Sequence, residues 1–342
     1  MCGLVGLYLN DNINLEERFF TSILNNMTNV LQHRGPDNKG IYFNKEDKLG
    51  LGFQRLSILD LKSSANQPML SKNKDWVMVF NGEIYNFQIL KENLKRKKAY
   101  WRSSSDSEVV IEYIAEYGFY NSIKKFNGMF AIAAYCLSEK TLWLARDKFG
   151  EKPLYYNFSS NQGLCFASEL RALSDLPGFK TIVCEEALSQ YIRYGYVPEP
   201  LSIYKNTYKL EPGHIIRYDK KNFIVKKKYW DSITSYIKVK AKGFKGTFEE
   251  AKEKVKNQID KSTRERLVSD VPLGVFLSGG IDSSNLALSL NRQNITPNTF
   301  SIGFYDKKTN ELNFANEVAK VLKTNHSYKY IKEQECIDNI ES

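Results

Sequence analysis

Two short segments of the sequence contain residue types that can do chemistry. The first is Cys2, directly behind the initiator Met1. Hydrolysing a carboxamide needs a nucleophile, a base, and donors for the oxyanion of the tetrahedral intermediate. With Met1 removed, Cys2 would supply the first two together, because its thiol would share a residue with a free α-amine. That amine has an ordinary pKa of about 8 and works as a base near neutral pH. Gly3 leaves the adjoining backbone free to bend. The second segment is Ser278-Gly279-Gly280-Ile281-Asp282-Ser283-Ser284. Its glycines let backbone N–H groups turn toward an anion, its hydroxyls add donors, and a following helix would add the partial positive charge of its N-terminus. This is a phosphate-binding design without the GK[ST] of a Walker A loop.

The surrounding sequence indicates which elements position these groups. A chain of 342 residues is too long for one ordinary core, so two domains are expected. The first two hundred residues read as short strands with two or three helices. WVMVF (76–80) is a buried strand running into a turn at Asn81-Gly82-Glu83. MFAIAAYC (129–136), LWLARD (142–147), PLYYNF (153–158) and LCFAS (164–168) are further strand-length runs. Helical spacing marks 106–117, behind Ser-rich capping residues. Antiparallel strands with helices on their faces make an α+β domain. The composition shifts between 218 and 246, read as a connection, and an amphipathic helix follows at 247–267. VPLGVFL (271–277), SSNLALSL (283–290) and TFSIGF (299–304) then read as strand, helix and strand, a βαβ unit with a parallel sheet. The boundaries are therefore 2–217, 218–246 and 247–342.

Behind MCGLVG, the segments LQHRGPD (31–37), QRLSILD (54–60), NGEIYN (81–86) and SSSDSEV (103–109) follow in that order. Together they resemble the glutaminase domain of the N-terminal-nucleophile (class II) glutamine amidotransferases. RDKFGEKPLYY (146–156), FASELRAL (166–173) and YGYVPEPLSIYKNTYKLEPGH (194–214) extend the likeness. With the second domain included, the chain resembles the glutamine-hydrolysing asparagine synthetases. The resemblance implies an α+β N-terminal-nucleophile domain of antiparallel sheets layered with helices, followed by part of an α/β PP-loop ATP pyrophosphatase domain.

It also implies roles. Cys2 would be the nucleophile, and the Asn81 side-chain amide and Gly82 N–H the oxyanion hole. Arg55 would take the α-carboxylate of glutamine, for which a guanidinium is suited, and Asp106 the α-ammonium. Leu56, Ser57, Ile58 and Glu83 would complete that pocket. His33 would be structural, since the α-amine serves as base. In the second domain Leu277, Ser278, Gly279, Gly280, Asp282, Ser283, Ser284 and Ile302 would bind ATP, with Asp282 helping to hold Mg²⁺ and no prosthetic group involved. The implied reaction activates the β-carboxylate of aspartate as an acyl-adenylate, which ammonia then attacks, giving asparagine, glutamate, AMP and pyrophosphate. Relatives carry the ammonia through an internal tunnel, and the family points to a homodimer.

Composition sets limits on other readings. The net charge of +10 comes from short clusters, Lys95-Arg96-Lys97-Lys98, Lys226-Lys227-Lys228 and the lysines from Lys238 to Lys245. None forms a nucleic-acid motif, so a solvated basic surface is expected and no nucleic-acid partner. No run reaches the ~18 apolar residues of a membrane span, and the N-terminus lacks a basic signal region. Five scattered cysteines and three histidines make no metal spacing and fit reduced thiols in the cytoplasm. About 100 residues follow the connection, few for a doubly wound domain, so the second domain reads as incomplete at its C-terminal side. Amidation of another acid in surface-polysaccharide assembly, and an uncoupled glutaminase or a non-catalytic remnant, are the alternative readings.

Overall fold

The computed structural model describes residues 1–13, 16–94, 100–174, 176–221, 223–306 and 310–340. The basic cluster at Lys95-Arg96-Lys97-Lys98 lies outside them. The chain divides into two compact units, Met1–Ala241 and Lys242–Ser342.

The first unit contains two six-stranded antiparallel sheets. One runs β10 (Thr207–Lys209), β8 (Tyr155–Ser159), β9 (Gly163–Ala167), β1 (Gly3–Leu9), β3 (Leu49–Arg55), β2 (Asn38–Asn44). The other runs β12 (Phe223–Lys228), β11 (His214–Asp219), β7 (Thr141–Arg146), β6 (Gly128–Cys136), β5 (Trp76–Ile84), β4 (Met69–Leu70). Period-2 alternation sorts their side chains into layers. Leu4 and Tyr8 of β1 share a core with Val77 and Val79 of β5 and with Ala131, Ala133 and Tyr135 of β6, between the sheets. Val5 and Leu7 face outward onto Phe20, Leu24 and Met27 of the helix Glu17–Asn29. Met78 and Phe80 face outward onto Val109, Val110 and Ile114 of the helix Asp106–Tyr117. Helix, sheet, sheet and helix are thus stacked in four layers, each buried against its neighbour by apolar area.

The strand read at 76–80 does not turn at Asn81. β5 continues through Ile84, with Asn81 opposite Ala131 and Gly82 opposite Phe130. Asn-Gly favours a turn locally, but pairing with β6 overrides it. Gly82 is needed here for close approach, since a Cβ would lie 2.1 Å from the Met129 carbonyl oxygen. The connection read at 218–246 is likewise structured, holding β12, paired along β11, and the helix Ser232–Lys242.

The segment 147–152, after β7, is fixed by two buried charged residues. Asp147 is fully buried. Its carboxylate accepts from the N–H groups of Phe149, Glu151 and Lys152 at 3.0 Å each and from that of Phe130 at 3.2 Å. Arg146 donates from Nε to the Lys152 carbonyl at 2.8 Å, and from its terminal nitrogens to the Leu210 and Gly150 carbonyls at 2.7 Å each.

The second unit has a three-stranded parallel sheet, β13 (Gly274–Phe276), β14 (Asn298–Phe304), β15 (Asn325–Ile331), the βαβ arrangement expected. The helices Ile281–Arg292 and Leu312–Leu322 pack Ala287, Ala315 and Ala319 around Leu277. The helix Phe248–Glu265 opens with a capping box between Thr247 and Glu250. Among the described residues no helix is long and apolar enough to cross a membrane.

Replacing Asp147 by Ala orphans four backbone donors in a dry interior. The Asp147→Ala chain is expected to lose more than about 3 kcal/mol of stability. Urea unfolding of the two chains tests this, and an unchanged midpoint would contradict the bracing role.

Candidate active site

The topology brings one end of the sandwich together. Cys2 immediately precedes β1, and Arg55 ends β3; the β1–β3 register sets Gly3 opposite Gln54, so the two residues adjoin. From the facing sheet, Asn81 and Glu83 lie on the same face of β5 as Val77 and Val79, toward β1. Asp106 opens the helix Asp106–Tyr117, whose N-cap Ser105 accepts the Ser107 N–H. Cys2, Arg55, Leu56, Ile58, Asn81, Gly82, Glu83 and Asp106 line one cavity of about 210 Å³. Ser57, expected there, is not in the lining; its N–H is taken by the Asp37 carboxylate at 2.7 Å.

Cys2 is held at both its side chain and its backbone. The Leu56 N–H donates to Cys2 Sγ at 3.3 Å, and Arg34 Nε donates to the Cys2 carbonyl at 3.0 Å. Burial pushes the Cys2 thiol up; the Leu56 bond, the α-amine, Arg55 and Lys152 oppose it. Burial also holds the Met1 α-amine below its ordinary value, with Arg34 and Lys152 adding to the effect. Met1 is 58% exposed, open to removal. His33 points elsewhere: its Nε2 lies 3.0 Å from Glu169 Oε1, an oxygen that also accepts from Arg34 at 2.8 Å.

The Asn81 side chain is 2% exposed, and its Nδ2 is buried without a hydrogen-bond partner among the described residues. A buried amide donor left unpaired is costly unless something else uses it. The neighbouring strand edge is engaged on either side of Gly82. The Gln67 side chain accepts from the Phe80 N–H at 2.6 Å and donates to its carbonyl at 3.1 Å. Two residues beyond Gly82, the Ile84 N–H donates to Asp106 at 2.9 Å. Strand alternation turns the Gly82 N–H to that same edge, between Gln67 and Asp106, both of which line the cavity.

The charges are set apart in space. The Arg55 guanidinium is buried and donates to the Lys62 carbonyl at 3.0 Å, to Asn66 Oδ1 at 2.7 Å, to the Leu59 carbonyl at 3.3 Å and to the Asp60 carbonyl, all neutral acceptors. Asp106 is pushed up to about 6, mainly by burial and also by Glu83, against the N–H bonds from Ile84 and Ser107. A ligand cation beside it would restore its charge. Lys152 also lines the cavity and is 7% exposed. Arg34, Gln67 and Lys152 were not singled out from sequence; Arg34 lies in LQHRGPD and Lys152 in RDKFGEKPLYY, Gln67 lies in none of the segments above, and no local signal gives any of the three a position.

In the second unit, Leu277, Ser278, Ser283 and Ile302 line a cavity of about 340 Å³. Gly279, Gly280, Asp282 and Ser284 are not part of that lining. Ser278 and Ser283 hydroxyls lie 3.0 Å apart, and Ser278 Oγ accepts from the Gly280 N–H at 3.2 Å. Gly279 has φ of +81°, and a Cβ there would meet the Ala315 nitrogen at 2.6 Å. Gly280 caps the helix Ile281–Arg292 without a side-chain bond. The Ser284 hydroxyl is buried without a partner among the described residues.

Comparison with known proteins agrees with both halves. Residues 1–230 match the family described as glutamine amidotransferase domain, and residues 254–342 match asparagine synthase. The chain belongs to the glutamine-hydrolysing asparagine synthetase family. It is 33% identical over 355 residues to a Methanocaldococcus jannaschii protein provisionally named asparagine synthetase (glutamine-hydrolyzing) 2, covering 98% of this chain and 66% of that one. It is 33% identical over 346 residues to Bacillus subtilis asparagine synthetase (glutamine-hydrolyzing) 1, covering 99% of this chain and 52% of the relative. The chain thus spans between half and two thirds of the length of these relatives.

Asp106 yields a signed prediction. Its folded pKa of about 6 exceeds the ordinary 3.8, so its ionised form costs stability above pH 6, and that cost disappears as pH falls below 3.8. Asp106→Asn is therefore expected to raise the melting temperature at pH 7.5, with the gain fading near pH 4. In a Cys2→Ala background, glutamine affinity measured by calorimetry should be flat above pH 6 and fall below it. Affinity that rises on acidification would contradict the role of Asp106.

Proposed function

We propose that the first unit hydrolyses glutamine at Cys2 once Met1 has been removed. The supporting observation is the single cavity in which a thiol, an amide donor without a partner, a guanidinium and a carboxylate converge. Glutamine would place its α-carboxylate on Arg55 and its α-ammonium on Asp106, with Glu83 beside it. The freed α-amine of Cys2 takes the thiol proton, and Sγ attacks the carboxamide carbon. The oxyanion is received by Asn81 Nδ2 and the Gly82 N–H. Collapse of this adduct breaks the C–N bond, and the proton held by the amine leaves with ammonia. Water then attacks the γ-glutamyl thioester, the same amine accepting its proton; the C–S bond breaks, the amine returns the proton to Cys2 Sγ, and glutamate is released.

The second unit would contribute a nucleotide loop to the use of that ammonia. ATP phosphates fit the Ser278–Ser284 segment, where backbone and hydroxyl donors surround a helix N-terminus. Among the described residues no three His, Cys, Asp or Glu cluster to cage a metal. Asp282 in the first helical turn, together with the nucleotide phosphates, fits Mg²⁺, which is ordinarily held by one or two carboxylates and substrate oxygens. The acceptor we propose is aspartate, activated as the β-aspartyl adenylate and converted to asparagine with release of AMP. The free cysteines suit a cytoplasmic setting.

The decisive assay uses Met1-free chain, verified by mass, with glutamate and ammonia measured from glutamine. Glutamate release is expected to fall by at least about 10³-fold in Cys2→Ala. A folded Met1-free chain that releases no glutamate would contradict the proposal for the first unit. Running the assay with ATP, Mg²⁺ and aspartate reads the second: asparagine and AMP formed in equal amounts support it, and AMP with another added acid but none with aspartate overturns the choice of acceptor.

A further inference from the structure

The roles above employ one cation of the cavity, Arg55, and leave a second, Lys152, without one. Lysine has a flexible stem that ordinarily carries its charge to water. Here the side chain is 7% exposed and lines the cavity beside Cys2, Asn81 and Glu83. Burial lowers its pKa, while Glu83 and then Cys2 oppose that. A buried cation is retained only where something compensates it. Its backbone is fixed at both ends, N–H on the Asp147 carboxylate at 3.0 Å and carbonyl on Arg146 Nε at 2.8 Å. The tight 147–152 segment thus delivers this one ammonium into the cavity.

The other charged groups that face Cys2 are otherwise engaged. Arg34, from the turn Gln32–Arg34, holds the Cys2 carbonyl and is paired with Glu169. Asp37 takes the Ser57 N–H. Arg55 lowers the Cys2 thiol more than Lys152 does, but a glutamine carboxylate seated on it would cancel that charge during the reaction. Asp106, on the helix Asp106–Tyr117, would be neutralised by the glutamine ammonium. Glu83, from β5, and Glu151, next in sequence, both raise Lys152. With substrate bound, Lys152 is, beside the α-amine at the N-terminus itself, the side-chain cation of the described cavity lining whose charge remains directed at Cys2.

We propose that Lys152 is a positioning residue for the nucleophile: its ammonium, which shares the cavity with Glu83 and Cys2, provides the field at Cys2 Sγ that stabilises the thiolate and the anionic adduct formed from it. This rests on the glutamine-hydrolysing reading and deepens it. A charge that lines the cavity away from the groups proposed to take the substrate's α-carboxylate and α-ammonium affects the chemical step more than binding.

The test uses Met1-free chain and two readouts. Iodoacetamide alkylation, followed by mass on the N-terminal peptide, gives the pH midpoint of Cys2 without glutamine. In Lys152→Met that midpoint should move upward by about one pH unit, and in Lys152→Arg it should return most of the way. With glutamine, Lys152→Met should lower kcat by about tenfold or more while KM changes by less than about threefold. Should Lys152→Met fail to fold because Glu83 is left uncompensated, the Lys152→Met, Glu83→Gln double variant removes both charges, and its midpoint should be raised likewise. A midpoint that stays at the wild-type value in a folded variant overturns the proposal, as does an equal loss of kcat in the Met and Arg variants with no change of midpoint. Wild-type chain that alkylates but releases no glutamate overturns the parent reading alone, and the midpoint still decides the role of Lys152.

Discussion

Taking several ionisable groups out of water around one small cavity is the constraint on which the first unit depends. Cys2, Arg55, Asp106 and Lys152 all border about 210 Å³, and the last three are nearly buried. Each would gain by moving to solvent or by changing its protonation state. The fold prevents this by attaching each to a different rigid element: the start of β1, the end of β3, the first turn of a helix, and a segment fixed by Arg146 and Asp147. The two-sheet sandwich provides the rigidity, because its inter-sheet core closes the cavity from below. Charges of both signs are thereby kept around one cavity, which under the proposed reading would take a zwitterionic ligand.

This explains why the cavity contains polar groups that the protein does not satisfy from within. The unpartnered Asn81 Nδ2 and the raised pKa of Asp106 are costs in the empty site. Under the proposed reaction both would disappear on arrival of an oxyanion and an ammonium, and the free energy given up in folding would be returned as differential binding. Asn81 lies on the inward face of β5 for the same reason that Val77 and Val79 do. One alternation pattern therefore builds the core and aims the donor.

Much of this was legible in the sequence, and the exceptions have physical causes. The α+β organisation could be read because the apolar runs at 76–80, 129–136, 142–147, 153–158 and 164–168 are strand-length and the helix at 106–117 is both capped and periodic, whereas β1 was not read as a strand. The turn expected at Asn81-Gly82-Glu83 was wrong because local Asn-Gly chemistry competes with nine residues of pairing to β6, and the pairing dominates. β12 was hidden by its lysines: Lys226, Lys227 and Lys228 protect an edge strand while making it read as a connection. Arg34 and Lys152 could be seen in their motifs but not placed, since their positions depend on hydrogen bonds to residues distant in sequence, Cys2 and Glu169 for one and the loop fixed by Asp147 and Arg146 for the other. Ser57 adjoins Leu56 in sequence yet turns its N–H to Asp37, which no pattern of residue types would indicate.

The central claim is that Cys2, as the mature N-terminal residue, is the group that attacks a carboxamide in this cavity. A glutamine analogue with a diazoketone in place of the carboxamide tests it most directly, followed by peptide mass spectrometry. The account predicts one adduct, on the N-terminal Cys2 peptide of Met1-free chain, suppressed by excess glutamine and absent from chain that retains Met1. An adduct on Cys184 or Cys336 instead, or equal labelling of Cys2 with Met1 still in place, would contradict it.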